Sequence, residues 1–247
     1  MRWIYISPHL DDAVLSAGGF IYEQTRAGIP VEVWTCMCGF PPEGEVSPLA
    51  QVLHFQWGFP SAEETVRSRR AEDVKAITSL GATPVHFDFL DCIYRRGKDG
   101  EWLYTMDVFV PPHADEADLP AQVARVISDR LQPDDVLVCQ FGIGSHVDHV
   151  AVRRALELLG RPLLYAADIP YLFDHPQELT PNAAGMDAKV YPVSEASLEA
   201  WQEAALSYQS QIEILFETPT RMQELIRSYC LDNLGVRLWQ SNANHRT

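Results

Sequence analysis

The chain is short of positive charge, of paired cysteines and of long apolar runs. Its 247 residues carry 19 Lys and Arg against 34 Asp and Glu, a formal net charge of −15. A general nucleic-acid binder, or a binder of anionic membranes, would need cations to meet phosphates, so neither partner is expected. The five cysteines, at positions 36, 38, 92, 139 and 230, are odd in number and include no CxxC pair. Cys36 and Cys38 alternate within a strand-like run, where buried free thiols are expected in place of a metal knuckle. Such usage suits a reducing compartment. No signal-type apolar segment precedes the first strand and no run reaches the length of a membrane span, so a cytoplasmic enzyme is expected. Repeats, low-complexity tracts and an interdomain linker are also missing, which makes 1–247 a single expected domain.

What the chain does have is core material, with 47% hydrophobic and 10% aromatic residues. Strand-type runs at 2–6, 31–38, 83–91, 134–140 and 162–168 are interleaved with helical patterns at 13–28, 63–80, 119–132 and 147–160. This alternation predicts a mostly parallel sheet with helices on both faces, a Rossmann-like three-layer αβα domain of the α/β class. The Pro- and Gly-rich segment 39–62 reads as a long functional loop with one helical turn. Residues 94–117 read as a β-hairpin or loop excursion that turns at Asp99-Gly100. Further on, "KVYPV" suggests an edge strand, 194–211 one helix capped by Ser194, and 217–230 a last helix with Thr218 or Thr220 near its start.

Two clumps of polar residues interrupt this pattern at corresponding places. "SPHLDD" (7–12) follows the first strand, and "GIGSHVDH" (142–149) follows the fourth. Ligands of open α/β sheets bind beyond the carboxyl ends of strands, where both clumps lie. His9 and Asp12 are spaced i, i+3, as are His146 and His149, so each pair can converge on a point. Two imidazoles and a carboxylate are a normal ligand set for a catalytic zinc with one position open to water. Helix capping alone would account for Asp11, Asp12, Ser145 and Asp148, but it leaves the histidines at both exits unexplained. "GIGS" with Val at 147 lacks the third glycine of a dinucleotide loop, and that reading is set aside.

These motifs resemble those of the LmbE-like, or PIG-L, family of metal-dependent de-N-acetylases, with its (A/S)-H-P-D-D and H-P-D-H patterns. "RSRRAEDVKAITSLG" is similar to the family's R-x-x-E helix, with Arg69 and Glu72 in the matching places. "FLD", ending at Asp91, and the late "ALSYQSQ" match further landmarks. Leu10 and Val147 stand where the family commonly has Pro. The resemblance implies that His9, Asp12 and His149 hold a metal, that Asp11 is the general base, and that His146 polarises or protonates the amide with Asp148 orienting it.

The implied activity is zinc-dependent removal of an N-acetyl group from an N-acetylglucosamine-type sugar or its conjugate. A His, His, Asp set also accepts Fe(II) or Co(II). Arg69, Asp91 and Arg95 are the candidate substrate contacts, with Arg96 beside them; Arg69 has an alternative use as a salt bridge to Glu72 or Asp73. Trp57 and Phe59 could stack on a sugar ring. The partner expected is a small amino sugar, and a homo-oligomer is compatible with the sequence. Rival readings are metal-assisted hydrolysis of another amide or ester, and a noncatalytic sugar-binding module on the same fold.

Overall fold

The computed structural model describes residues 1–241. Seven strands, β1 (Trp3–Ser7), β2 (Val31–Met37), β3 (Thr83–Phe89), β4 (Val136–Gln140), β5 (Leu163–Ala166), β6 (Met186–Tyr191) and β7 (Val236–Ser241), form one sheet in the order β3-β2-β1-β4-β5-β7-β6. β1 to β5 run parallel, and β7 lies antiparallel between β5 and β6. One face is covered by α1 (Asp12–Arg26), α3 (Ala62–Ser79), α8 (Glu195–Ala205), α9 (Gln209–Phe216) and α10 (Pro219–Asn233). The other carries α4 (Leu119–Ser128) and α5 (Val147–Leu158). The expected three-layer αβα architecture is therefore present.

The two cores follow from strand alternation. Trp3 and Tyr5 of β1 face the α1 side, whereas Ile4 and Ile6 face α4 and α5. Both faces are apolar because both are covered, as parallel sheets require. On the first face α1 packs so closely on α8 that a Cβ at Gly18 would lie 2.4 Å from Trp201 Cδ1. The Trp201 indole N–H donates to the Val14 carbonyl at 2.6 Å, which fixes the ring against the helix.

The structure adds detail to the sequence pattern and departs from it in places. Segment 39–62 contains a full helix, α2 (Pro48–Trp57), started by Ser47, whose Oγ accepts the Ala50 N–H, and ended by Gly58 in the left-handed region. Its sides meet α3, α9 and the turn at 92–94, so its apolar residues form no single stripe. Residues 94–117 are the expected loop excursion: an antiparallel bridge, Arg96 to Trp102, closes on the expected turn, with Gly100 at φ 87 and the Gly97 N–H donating to the Glu101 carbonyl at 2.8 Å. The helix expected over 194–211 breaks at 206–208, because Tyr208 is drawn inward to donate its hydroxyl to Asp73 Oδ1 at 2.8 Å. Glu72 accepts the Ser210 N–H and hydroxyl at 2.9 and 2.6 Å and anchors the start of α9. β7, which the pattern reading left unassigned, completes the sheet. Two single-turn helices, α6 (Tyr171–Asp174) and α7 (Leu179–Asn182), follow β5.

Gly18→Ala tests the close helix contact. The added methyl must displace a fully buried indole, so unfolding free energy in urea should fall by about 1–3 kcal/mol. An unchanged transition midpoint would show that the contact is looser than described.

Candidate active site

The strand order reverses between β1 and β4, and a cavity of about 760 Å³ opens at their carboxyl ends. β1 delivers His9, Asp11 and Asp12 there. β4 and the start of α5 deliver His146, Asp148 and His149, and the exit of β3 delivers Asp91. Asp11 occupies the cap position of α1 without making a side-chain cap bond, so helix capping does not explain it. His146 is the cap of α5: its Nδ1 accepts the Asp148 N–H at 3.2 Å. In the neutral ring the proton then sits on Nε2.

The rings of His9, His146 and His149 offer nitrogens that lie within 4.8 Å of one another. Asp12 stands between two of them, its Oδ1 3.4 Å from His149 Nε2 and its Oδ2 3.6 Å from His9 Nδ1. His149 Nε2 is buried without a hydrogen-bond partner, while its Nδ1 meets Asp168 at 2.9 Å. A buried imidazole held from behind by a carboxylate, with its other nitrogen free, is how metal-binding histidines are presented. These residues fit a divalent cation. Two further groupings, Cys92 with His146 and Asp148, and His9 with Asp91 and Asp148, share the same space.

Asp168 went unnoticed as a site residue at the level of sequence. Besides His149 it accepts the N–H groups of Gly142 and Ile143, both at 3.0 Å, while Glu178 accepts that of Gly144 at 2.9 Å. The glycine loop therefore binds the protein's own carboxylates, in keeping with the rejection of a dinucleotide loop. The one available signal was an Asp at a strand exit, the same position that drew attention to Asp91. Tyr171, whose ring edge meets His149, and Phe109, which meets His146, were also missed.

Electrostatics separate the acids. Burial and then the charge of Asp12 push the Asp11 carboxyl up to about 8, against the opposing pull of Arg69 and His9. Burial would also raise Asp148, but Arg95 and then His9 hold it below the usual carboxylate range. Burial works against a charge on His9, yet the Asp148 hydrogen bond and the charges of Asp91, Asp148 and Asp12 push it up to about 9. Burial, joined by the charge of His9, keeps His146 well below the ordinary imidazole value. A cation beside Asp12 would offset the repulsion between the adjacent carboxylates.

Two expected roles are corrected by this geometry. The Asp148 carboxylate does not orient His146; it meets His9 Nε2 at 2.9 Å, Arg95 Nη1 at 2.6 Å and the Cys92 N–H at 3.0 Å. Arg95 does not line the cavity, because its guanidinium is spent on Asp148 and Glu116 behind the wall. The other candidates do line it. Arg69 Nη2 lies 3.6 Å from Asp11 Oδ2 with the guanidinium over the Trp57 ring, and Asp91 Oδ2 lies 3.9 Å from His9 Nε2. Glu72 and Asp73, the alternative partners of Arg69, instead hold the α8–α9 junction. Arg96 covers Trp102 away from the site.

The sequence pattern of the PIG-L family, GlcNAc-PI de-N-acetylase, matches residues 4–159, and the chain belongs to this family. It is similar to the 2'-N-acetylparomamine deacetylase of Niallia circulans, 29% identical over 87% of this chain and 82% of the relative. Among solved structures it is similar to the zinc-inhibited form of teicoplanin deacetylase Orf2, at 30% identity and TM-score 0.84 over 99% of this chain and 100% of the other. A third similar protein is the A40926 pseudoaglycone deacetylase Dbv21, at 29% identity and TM-score 0.77 over 97% and 96% of the two chains. The chain is thus a hydrolase of a de-N-acetylase family.

Asp168→Ala releases the His149 ring and the glycine loop together. Affinity for Co(II) or Zn(II) should drop about 10–100-fold in a chelator competition titration. Undiminished affinity in a variant with native circular dichroism would remove Asp168 from the metal site.

Proposed function

We propose that the chain is a metal-dependent hydrolase, with zinc as the ion, that removes the acetyl group from an N-acetylglucosamine-type sugar or its conjugate. The observation that carries this reading is the convergence of two strand exits on one point. Asp12 faces the unpartnered His149 nitrogen there, and Asp11 beside it is left free of capping. His9, Asp12 and His149 would hold the ion. When bound, the ion supplies Lewis acidity toward a water and an amide carbonyl.

The remaining work falls to the chain's own side chains. Asp11 takes the proton of the attacking water, and Arg69, 3.6 Å away, holds its carboxylate in place. His146 presents Nε2–H toward the cavity and donates to the oxygen on which negative charge develops. Because its Nδ1 already accepts a backbone N–H, it acts as a neutral hydrogen-bond donor, not as an imidazolium. Asp148 acts through His9, and Arg95 through Asp148, so both are positioning residues. Asp91 and the outer edge of Arg69 are placed to hold sugar hydroxyls.

The relatives support an N-acetylated substrate, since one is named a 2'-N-acetylparomamine deacetylase and the others deacetylases of teicoplanin and of the A40926 pseudoaglycone. Among the described residues no helix is long and apolar enough to cross a membrane. All five cysteines are free and buried, which supports a reducing, cytoplasmic setting.

Asp11→Asn should lower acetate release from an N-acetylglucosaminide about 10²–10⁴-fold while leaving metal content unchanged. Full activity in this variant would sink the base assignment, and no acetate release by the metal-loaded native protein from any N-acetylated amino sugar would sink the reaction.

A further inference from the structure

Besides its polar floor, and Asp174, His175, Glu178 and Gln211 elsewhere in its lining, the cavity has an apolar wall. The floor is formed by His9, Asp11, Asp12, Arg69, Asp91 and His146. Above the floor, Leu53 and Trp57 of α2 face Ile214 and Leu215 of α9, with Val108 and Phe109 closing one side. Ile214 is 42% exposed and Phe109 47% exposed. Apolar side chains left open to solvent along a concave wall beside reactive groups mark a ligand contact, and the cavity's volume is that of a site for a ligand larger than one sugar ring.

The placement of this wall is built into the fold. α9 is held at the cavity mouth by Tyr208 and Ser210, which are tied to Asp73 and Glu72 of α3, and by the buried side chains of Ile212 and Phe216. α2 is set opposite by the hydrogen bond between His54 Nε2 and the Tyr94 hydroxyl at 2.6 Å, which joins it to the turn just after Asp91. α9 also lies outside residues 4–159, the span shared with the family pattern. The polar floor lies within the span of the family pattern, and the upper wall is completed by the C-terminal part of the chain.

We infer that the sugar conjugate taken by this site carries an apolar alkyl or aryl aglycone, seated between α2 and α9. This rests on the N-deacetylase reading above, because continuity with the reacting amide is what identifies the occupant as part of the substrate. Leu53, Ile214 and Leu215 then set preference among conjugates, while the polar floor performs the reaction on any of them.

The test compares methyl and hexyl 2-acetamido-2-deoxyglucosides as substrates of the metal-loaded protein. The hexyl glycoside should have kcat/KM at least about tenfold higher, from burial of its extra methylenes. In Ile214→Asp and Leu53→Asp, compared each with its own methyl glycoside rate, this preference should fall to about twofold or less. Equal kcat/KM for the two glycosides in the native protein overturns the inference while leaving the deacetylase reading intact. Calorimetry with hexyl glucoside, which has no amide to cleave, separates the two claims. Binding that is lost in Ile214→Asp, without acetate release from either glycoside, upholds the apolar subsite and overturns the reaction. Absence of binding together with absence of preference overturns the subsite.

Discussion

One buried carboxylate, Asp168 at the exit of β5, organises the centre of this molecule. It accepts two backbone N–H groups from the loop after β4 and a third hydrogen bond from His149, and it is fully buried. A carboxylate in that position is tolerable only when its oxygens are satisfied, and each bond that satisfies it also fixes something else. The two loop bonds fix the path of Gly142 and Ile143, hence where α5 begins. The bond to Nδ1 fixes the His149 ring, hence where its other nitrogen points. The geometry of the catalytic side of the cavity follows from those constraints.

The adjacent acids differ in what surrounds them and therefore in what they can do. Asp148 is held ionised by Arg95, which is itself supported by Glu116, and its charge is delivered to His9. Asp11 has Arg69 and His9 to oppose burial and the charge of Asp12, and burial with Asp12 prevails, so its carboxyl is raised. A chain with an excess of acids thus places the buried Arg69 and Arg95 each beside a particular buried carboxylate. Net charge says nothing of this, because the effects act over a few ångströms in a medium that screens poorly.

The sequence made the chemistry legible and the walls illegible, for one physical reason. His9, Asp11 and Asp12 lie within three residues of one another, and so do His146 and His149, so a strand exit and a helix start suffice to bring each set together. The parallel order of β1 to β5 was readable for the same cause, since alternating strand and helix is a local pattern. Asp168 escaped notice because its partner His149 is 19 residues away and nothing near it looks like a motif. The break after α8 depends on Tyr208 meeting Asp73, 135 residues distant, and a helical pattern carries no trace of that bond. α2 was hidden because three different neighbours share its apolar residues. Arg95 reads as a substrate contact in the sequence because nothing local shows that Glu116 and Asp148 are brought against its guanidinium.

The elements that escaped pattern reading are those that give the site its particular shape. Motif-borne residues at strand ends can be kept through large changes elsewhere, since the sheet alone positions them. Helices such as α2 and α9 are held by a handful of long-range bonds: His54 to Tyr94, Tyr208 to Asp73, Ser210 to Glu72. On the proposed function the fold separates reaction from selectivity. The first is written in short motifs on the sheet, and the second in tertiary contacts that set two helices over it.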